Sequence, residues 1–434
     1  LQTQQIYTGY ATKKSTKIAS YTKQVPEATF VTKSLIMYRL SLTISALFLI
    51  LTTCKAQQPV AGAKQLTHFL DSAAKNLDFH GTVLLTRSND TIHYAGYGYS
   101  DLKRKIKTEK TTAYNIASVS KAFTAIAVLK LAEQGIFSLQ DPLRKFFKEV
   151  PADKATITIH QLLSHTSGIG QHYAADGEED PQKAAAKIFR LPLTDAPGNR
   201  FLYGNDNYTL LAIIIEQQTH QTWEAYLRAT ILAPLQMKAT FFLADYQRVQ
   251  AAKAPQTSGA APKGQQRDYG AIGAGGIFST AADLATFVQA FSTDKVLSAT
   301  AKESLLGKYT KVKSPWEGTT THYAYGLFVT ETEQGLLQSI WLRGNEESWG
   351  TAILFWLPQT NTSLVVLSNK ELLSNGEKSH IYISNHLLKS IAQQSNFKIK
   401  SYTTDERKII PWFAYGHLQS AGSNAGKTMV HQSF

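Results

Sequence analysis

The residues best suited to chemistry are Ser118 and Lys121, three apart in Ser118-Val-Ser-Lys121. Should Ser118 open the helix that follows, this spacing brings the amine onto the face of the hydroxyl one turn later. A serine hydroxyl is a weak nucleophile until a neighbouring base takes its proton, and a lysine stripped of water can be that base. A helix N-terminus would also favour negative charge developing at Ser118. The pattern alone is common, because Ser20, Ser72, Ser100, Ser292 and Ser395 also have lysine three residues on. The copy at Ser118 differs in leading into an apolar run over 122–129, so it alone places its lysine at the start of a buried helix.

A second element, Tyr203-Gly-Asn205, precedes another apolar, helix-like run at 208–215. Of the twenty tyrosines, only Tyr203 has asparagine two residues on. A phenol beside a lysine relays protons to and from an acyl substrate, and an asparagine amide bonds the substrate or holds the lysine. The plainer reading is a loop tyrosine bonded to a backbone carbonyl.

The elements that must position these groups follow from patterning. Residues 82–86 and 91–95 read as two strands of a hairpin. Residues 121–134 read as a buried helix stopped by Gly135, residues 339–342, 351–356 and 363–368 as strands, and 380–392 as a helix. Strands at both ends thus bracket a largely helical middle. The fold class is α/β (α+β): an antiparallel sheet flanked by helices, with an inserted helical subdomain.

The order of segments resembles the serine β-lactamase-like family, which includes class C β-lactamases, penicillin-binding DD-carboxypeptidases and related esterases. The resemblance spans most of the chain. It rests on the blocks starting at Phe79, Tyr114, Leu162, Pro197, Pro234 and Gly273, among them Tyr114-Asn-Ile-Ala-Ser-Val-Ser-Lys121, Leu162-Leu-Ser-His-Thr-Ser-Gly168 and Gly273-Ala-Gly-Gly276. It implies Ser118 as nucleophile, Lys121 as its activating partner, Tyr203 as the acid/base and Asn205 as the substrate-side amide.

The family's third motif, Lys-Thr-Gly or His-x-Gly followed by glycines, is altered here. Arg343 takes the basic position, Asn345 replaces a glycine, and Glu346 and Glu347 follow. Arginine is always charged and forks onto a carboxylate, so Arg343 is expected to hold an anionic substrate, while the two acids either pair with it or discourage such a substrate. The second oxyanion donor, beside the Ser118 amide, is expected to be a backbone N–H near Glu346. Loss of glycine at Asn345 threatens that geometry.

Other motifs carry less. His160 and His165, with no HExxH pattern around them, read as structural. Gly273-Ala-Gly-Gly276 lacks the features of a phosphate loop, and Trp341, Trp349 and Phe355 read as core or pocket lining. Neither metal nor cofactor is expected.

The 434 residues, 43% hydrophobic and 18% charged, suffice for a full core and exclude a disulfide miniprotein or a disordered chain. A single cysteine, Cys54, leaves no disulfide framework and no cysteine-rich zinc site. Six of the thirteen net positive charges fall within residues 1–56, and no basic run interleaved with aromatics marks a groove, so nucleic acid is not an expected partner.

Met37-Tyr-Arg39, the apolar run 40–51 and Cys54 read as an export signal, since the run is shorter than the ~20 residues a span needs. Leu51-Thr-Thr-Cys54 resembles the lipobox of bacterial lipoproteins, making Cys54 a lipidation site. The alternative is ordinary cleavage after Ala56 and a secreted or soluble periplasmic protein.

The expected organisation is a non-native or disordered leader (1–36), a signal peptide (37–56), a catalytic domain (57–395) and a tail of unreadable role (396–434). The expected protein is an exported, periplasmic, lipid-anchored serine hydrolase. It cleaves a small-molecule or peptide substrate (a D-amino-acid peptide, a β-lactam or a small ester) through an acyl-enzyme on Ser118, with peptidase or esterase favoured over β-lactamase. The alternative is a non-catalytic relative that binds a cell-wall fragment or a partner protein. The oligomeric state stays open.

Overall fold

The computed structural model describes residues 63–394, except 89, 171–172, 253–266, 317 and 347–349. The expectations for the leader, the export signal, Cys54, the tail, Glu347 and Trp349 lie outside the described residues. The chain divides into two compact units, residues 1–60 and 61–434, and every element below belongs to the second.

Helix α1 (Ala63–Asn76) precedes strands β1 (Gly81–Arg87), β2 (Asp90–Tyr97), β3 (Tyr99–Asp101), β4 (Ile106–Lys107) and β5 (Tyr114–Asn115). Helices α2 (Ser120–Glu133), α3 (Ile159–Leu163), α4 (Pro181–Arg190), α5 (Asn205–Thr219) and α6 (Trp223–Leu227) follow. Next come β6 (Phe241–Phe242), α7 (Tyr246–Ala252), β7 (Ile277–Ser279), α8 (Ala281–Gln289) and α9 (Ala299–Leu305). The last described elements are β8 (Thr310–Val312), β9 (Thr319–Tyr323), β10 (Phe328–Thr332), β11 (Leu337–Glu346), β12 (Gly350–Leu357), β13 (Thr362–Ser368) and α10 (Ser379–Gln394).

The main sheet is antiparallel, in the order β2-β1-β13-β12-β11-β10-β9-β8. The expected hairpin is β1 with β2, and the three expected C-terminal strands are β11, β12 and β13. Apolar residues occupy both faces because each face is covered. Leu84, Leu342, Leu354 and Val365 pack with α2, α5 and α8, whereas Val83, Trp341, Ile353 and Val366 pack with α1 and α10. All of β12 is buried, so it reads as an unbroken apolar run rather than an alternating one. Each such side chain removed from water contributes about 1.5–3 kcal/mol. A charge at Ile353 would therefore open the sheet at its centre.

Helix α2 runs through the core and is buried on all sides from Ser120 to Leu129. Gly135, at φ +72°, ends it, and the Ile136 N–H closes back on Leu131 O at 3.1 Å. One local expectation needs correcting. Ser118 does not open the α-helix but lies in a 3-10 turn, Ala117–Val119, ahead of it. Ala117 has φ +45°, and a left-handed residue cannot belong to a right-handed α-helical ladder.

Candidate active site

Backbone pairing fixes the position of Ser118. β5 pairs with β7, the Ile116 N–H donates to Ile277 O at 3.0 Å, and the Ala117 N–H donates to Asn115 Oδ1 at 2.7 Å. These bonds hold Ala117 in a conformation that costs an alanine about 1–2 kcal/mol, and they aim the turn at the end of β11. Gly344 of β11 meets the turn so closely that a Cβ on it would lie 2.1 Å from Ile116 O and 3.0 Å from Ser118 N. Glycine is required there for the approach of two backbones.

Lys121 is 1% exposed. Its Nζ lies 3.0 Å from Ser118 Oγ, 2.7 Å from Asn205 Oδ1 and 3.1 Å from Ala274 O. Three acceptors match the three protons of an ammonium. As a neutral amine, the same nitrogen keeps two donors for Asn205 and Ala274 and turns its lone pair to the Ser118 proton. Asn205 opens α5 and Ala274 belongs to the glycine loop, so three distant segments surround one nitrogen.

Tyr203 completes the group. Its hydroxyl bonds Ser118, and its ring centroid lies 4.8 Å from Lys121 Nζ. Burial pushes the phenol well above its ordinary range, against the smaller opposing effects of the Ser118 bond and the Arg343 charge. It therefore stays protonated at neutral pH, able to donate.

His165, read from sequence as structural, is fully buried against this tyrosine, with ring centroids 4.5 Å apart. Its carbonyl accepts from the Leu202 N–H at 2.7 Å and its Nδ1 from the Gly204 N–H at 3.3 Å, so it brackets Tyr203 on both sides. Burial, then the Lys121 charge, hold the imidazole neutral. Its only signal in sequence was its place in the Leu162–Gly168 block; nothing there pointed to Tyr203.

The altered third motif lies on β11. β10 pairs with β11 only as far as Trp341, so the segment beyond has β12 on one side and the Ser118 turn on the other. Side chains alternate along a strand, which sends Arg343 and Asn345 to the face opposite that of Gly344. Arg343 Nε donates to His380 Nε2 at 3.2 Å, and Asn345 Nδ2 donates to Glu371 Oε1 at 3.0 Å. Glu371 is also paired with Lys378. His380 is fully buried and held neutral by desolvation and then by the Arg343 and Lys378 charges. Glu346 ends β11, paired opposite Gly350. The sequence reading missed His380 and Glu371, which lie 37 and 26 residues from their partners on β11. Among the described residues, no group of three or more His, Cys, Asp or Glu side chains is arranged to hold a metal ion.

An antiparallel sheet between helices, with a buried Ser-x-x-Lys facing a Tyr-x-Asn, is the architecture of the serine β-lactamase-like proteins. The chain belongs to the Beta-lactamase family, whose model matches residues 68–386. It is 38% identical over 170 residues to Protein flp of Staphylococcus aureus (strain MW2), covering 37% of this chain and 34% of that one. The matched region thus spans about a third of that relative's length. It is 28% identical over 309 residues to the putative penicillin-binding protein PbpX of Bacillus subtilis (strain 168), covering 68% of this chain and 75% of PbpX.

Among solved structures, an octameric penicillin-binding protein homologue from Pyrococcus abyssi superposes with a TM-score of 0.64 at 25% identity, covering 81% of this chain and 80% of that one. A D-amino acid amidase from Ochrobactrum anthropi SV3, in complex with L-phenylalanine, has a TM-score of 0.60 at 20% identity and covers 76% of this chain and 99% of that one. That likeness is one of fold.

Proposed function

We propose that this chain is a serine hydrolase that opens an ester or amide carbonyl through an acyl-enzyme on Ser118. The observation that carries the reading is the buried Lys121 amine 3.0 Å from Ser118 Oγ, held from behind by Asn205 and Ala274. Lys121 takes the Ser118 proton as Oγ attacks. The oxyanion forms against the Ser118 N–H and a backbone N–H of the facing β11 edge. Tyr203, bonded to Ser118, passes its proton to the leaving group and regains one from the Lys121 ammonium; water then adds its hydroxyl to the acyl carbon and returns its proton to Ser118 Oγ.

The substrate is a small molecule or peptide, with a D-amino-acid peptide or a small ester favoured over a β-lactam. Two observations support this preference: the engagement of Arg343 and Asn345 with His380 and Glu371, and the fold shared with a D-amino acid amidase. The same reading has the protein exported and lipid-anchored at Cys54, on the strength of Leu51-Thr-Thr-Cys54. Metabolic labelling with a fatty-acid probe tests the anchor, and label surviving Cys54→Ala would remove it.

The test of activity is mass spectrometry after incubation with a labelled penicillin or an activated ester. An adduct on Ser118 that disappears in Ser118→Ala is expected. A protein that keeps the fold only to bind a cell-wall fragment or partner would give no adduct.

A further inference from the structure

Outside the site, the small hairpin of β3 and β4 brings cationic and apolar side chains together on the surface. Lys103, Arg104, Lys105, Lys107 and Lys110 are all exposed there, against the acidic Asp101 and Glu109. Asp101 is paired with Arg104 at 2.6 Å, but the arginine side chain stays largely exposed. Of the large apolar side chains left exposed among the described residues, two fall at the tip of this hairpin: Leu102, at 48%, and Ile106, at 36%. Single exposed apolar residues need no explanation, but a leucine and an isoleucine facing water amid five cations are an amphipathic tip.

The hairpin lies at the catalytic end of the sheet. Tyr97 stands opposite Gly81, Gly81 opposite Ser368, Ser368 opposite Thr351, and Thr351 opposite Asn345, so one row crosses the sheet from the base of the hairpin to the β11 edge facing Ser118. Four strand spacings separate the two ends of that row by about 20 Å. Asn369 Nδ2 donates to Tyr99 O and Ser100 O, both at 3.0 Å, which ties the hairpin base to the segment that carries Glu371. The tip therefore holds a set direction relative to the site.

We propose that this hairpin docks on an anionic lipid bilayer, with Leu102 and Ile106 entering the headgroup boundary and the lysines and Arg104 resting on acidic headgroups. Charge complementarity accounts for the cations, since each Lys or Arg near an anionic surface adds to the attraction. The apolar pair decides between occupants. A soluble polyanion satisfies the cations but gives leucine and isoleucine no apolar partner, whereas a bilayer surface satisfies both. Docking would present the Ser118 edge to material at the membrane surface, and it requires neither Cys54 acylation nor the hydrolytic reading.

The experiment uses the full chain as Cys54→Ala, Leu102→Cys, labelled at residue 102 with an environment-sensitive fluorophore. The probes are vesicles of phosphatidylcholine alone and of phosphatidylcholine with phosphatidylglycerol in equal parts. The expected result is a blue shift on the mixed vesicles only, abolished by high salt. Adding Lys103→Glu, Lys105→Glu and Lys107→Glu, all at exposed positions, is expected to weaken partitioning about tenfold or more, with an unchanged melting temperature as the check that the fold is kept. A label at Ile136 in the same Cys54→Ala background is expected to stay unshifted.

No shift at residue 102 overturns the proposal. So does an equal shift at residue 136, which would mean that another segment holds the chain to the vesicle. Binding of polyglutamate without any vesicle shift also overturns it, by making the hairpin a polyanion site. None of these readouts involves Ser118, so the proposal and the hydrolytic reading fail independently.

Discussion

Lys121 Nζ lies closer to Asn205 Oδ1, at 2.7 Å, than to Ser118 Oγ, at 3.0 Å, although 84 residues separate lysine from asparagine. The amide thus holds the amine in line with the hydroxyl. Asn205→Ala is expected to lower kcat/KM about 10- to 100-fold, the worth of a hydrogen bond to a charged group. Asn205→Asp places a carboxylate against the same nitrogen and favours its ammonium form. The acid limb of the kcat/KM–pH profile should therefore move to higher pH. An unmoved limb would show that Lys121 does not act as the base.

Gly344 and Ser118 meet backbone to backbone. A methyl group at 344 must push the β11 edge off the turn, so Gly344→Ala is expected to slow acylation at least ~100-fold. The fold should survive with a loss of about 1–3 kcal/mol. Circular dichroism and acylation by an activated ester separate the two effects, and wild-type acylation would mean that the oxyanion does not use this edge.

Arg343 bonds a buried, neutral His380, and its charge reaches Tyr203. If it also holds an anionic substrate, Arg343→Ala should weaken kcat/KM for an anionic ester about tenfold or more and that for its neutral analogue much less. Equal losses on both would assign Arg343 to the support of Tyr203 alone.

Asp206, next to Asn205 and 2% exposed, is pushed up to about 7 by burial, with the Asp176 carboxylate adding to the effect. Asp176 is itself raised to about 6, by burial and then by Asp268. An aspartate whose folded pKa lies above its unfolded value of about 3.9 keeps its proton longer in the folded state. Its contribution is therefore fully present below about pH 4 and is lost as pH rises to about 7. Asp206→Asn should stabilise the protein at pH 8 by at least about 1 kcal/mol, and its advantage over wild type should shrink as pH falls toward 4. Thermal melts across that range measure the difference. A constant difference would mean that Asp206 does not titrate there.

How much of this was legible follows from range. The Ser118–Lys121 pairing spans three residues, and either a 3-10 turn or an α-helical turn brings such neighbours together, so it was readable despite the left-handed Ala117. The buried helix behind it was readable because 122–129 is apolar on every side. The strands were readable as strands, but the facing of β11 was not. Trp341 and Leu342 are buried on opposite faces, so no polar alternation marked where Arg343 and Asn345 would point.

Taken alone, the chain's sequence determined which groups have the chemistry: a hydroxyl beside an amine, a phenol with an asparagine two residues on, and apolar segments able to bury them. Tertiary structure decided what surrounds the amine. Asn205 and the Ala274 carbonyl reach Lys121 from 84 and 153 residues away, and His165 brackets Tyr203 from another loop. Such contacts depend on strand register and on which helix crosses which, because local pattern says that a face is buried but not what it is buried against.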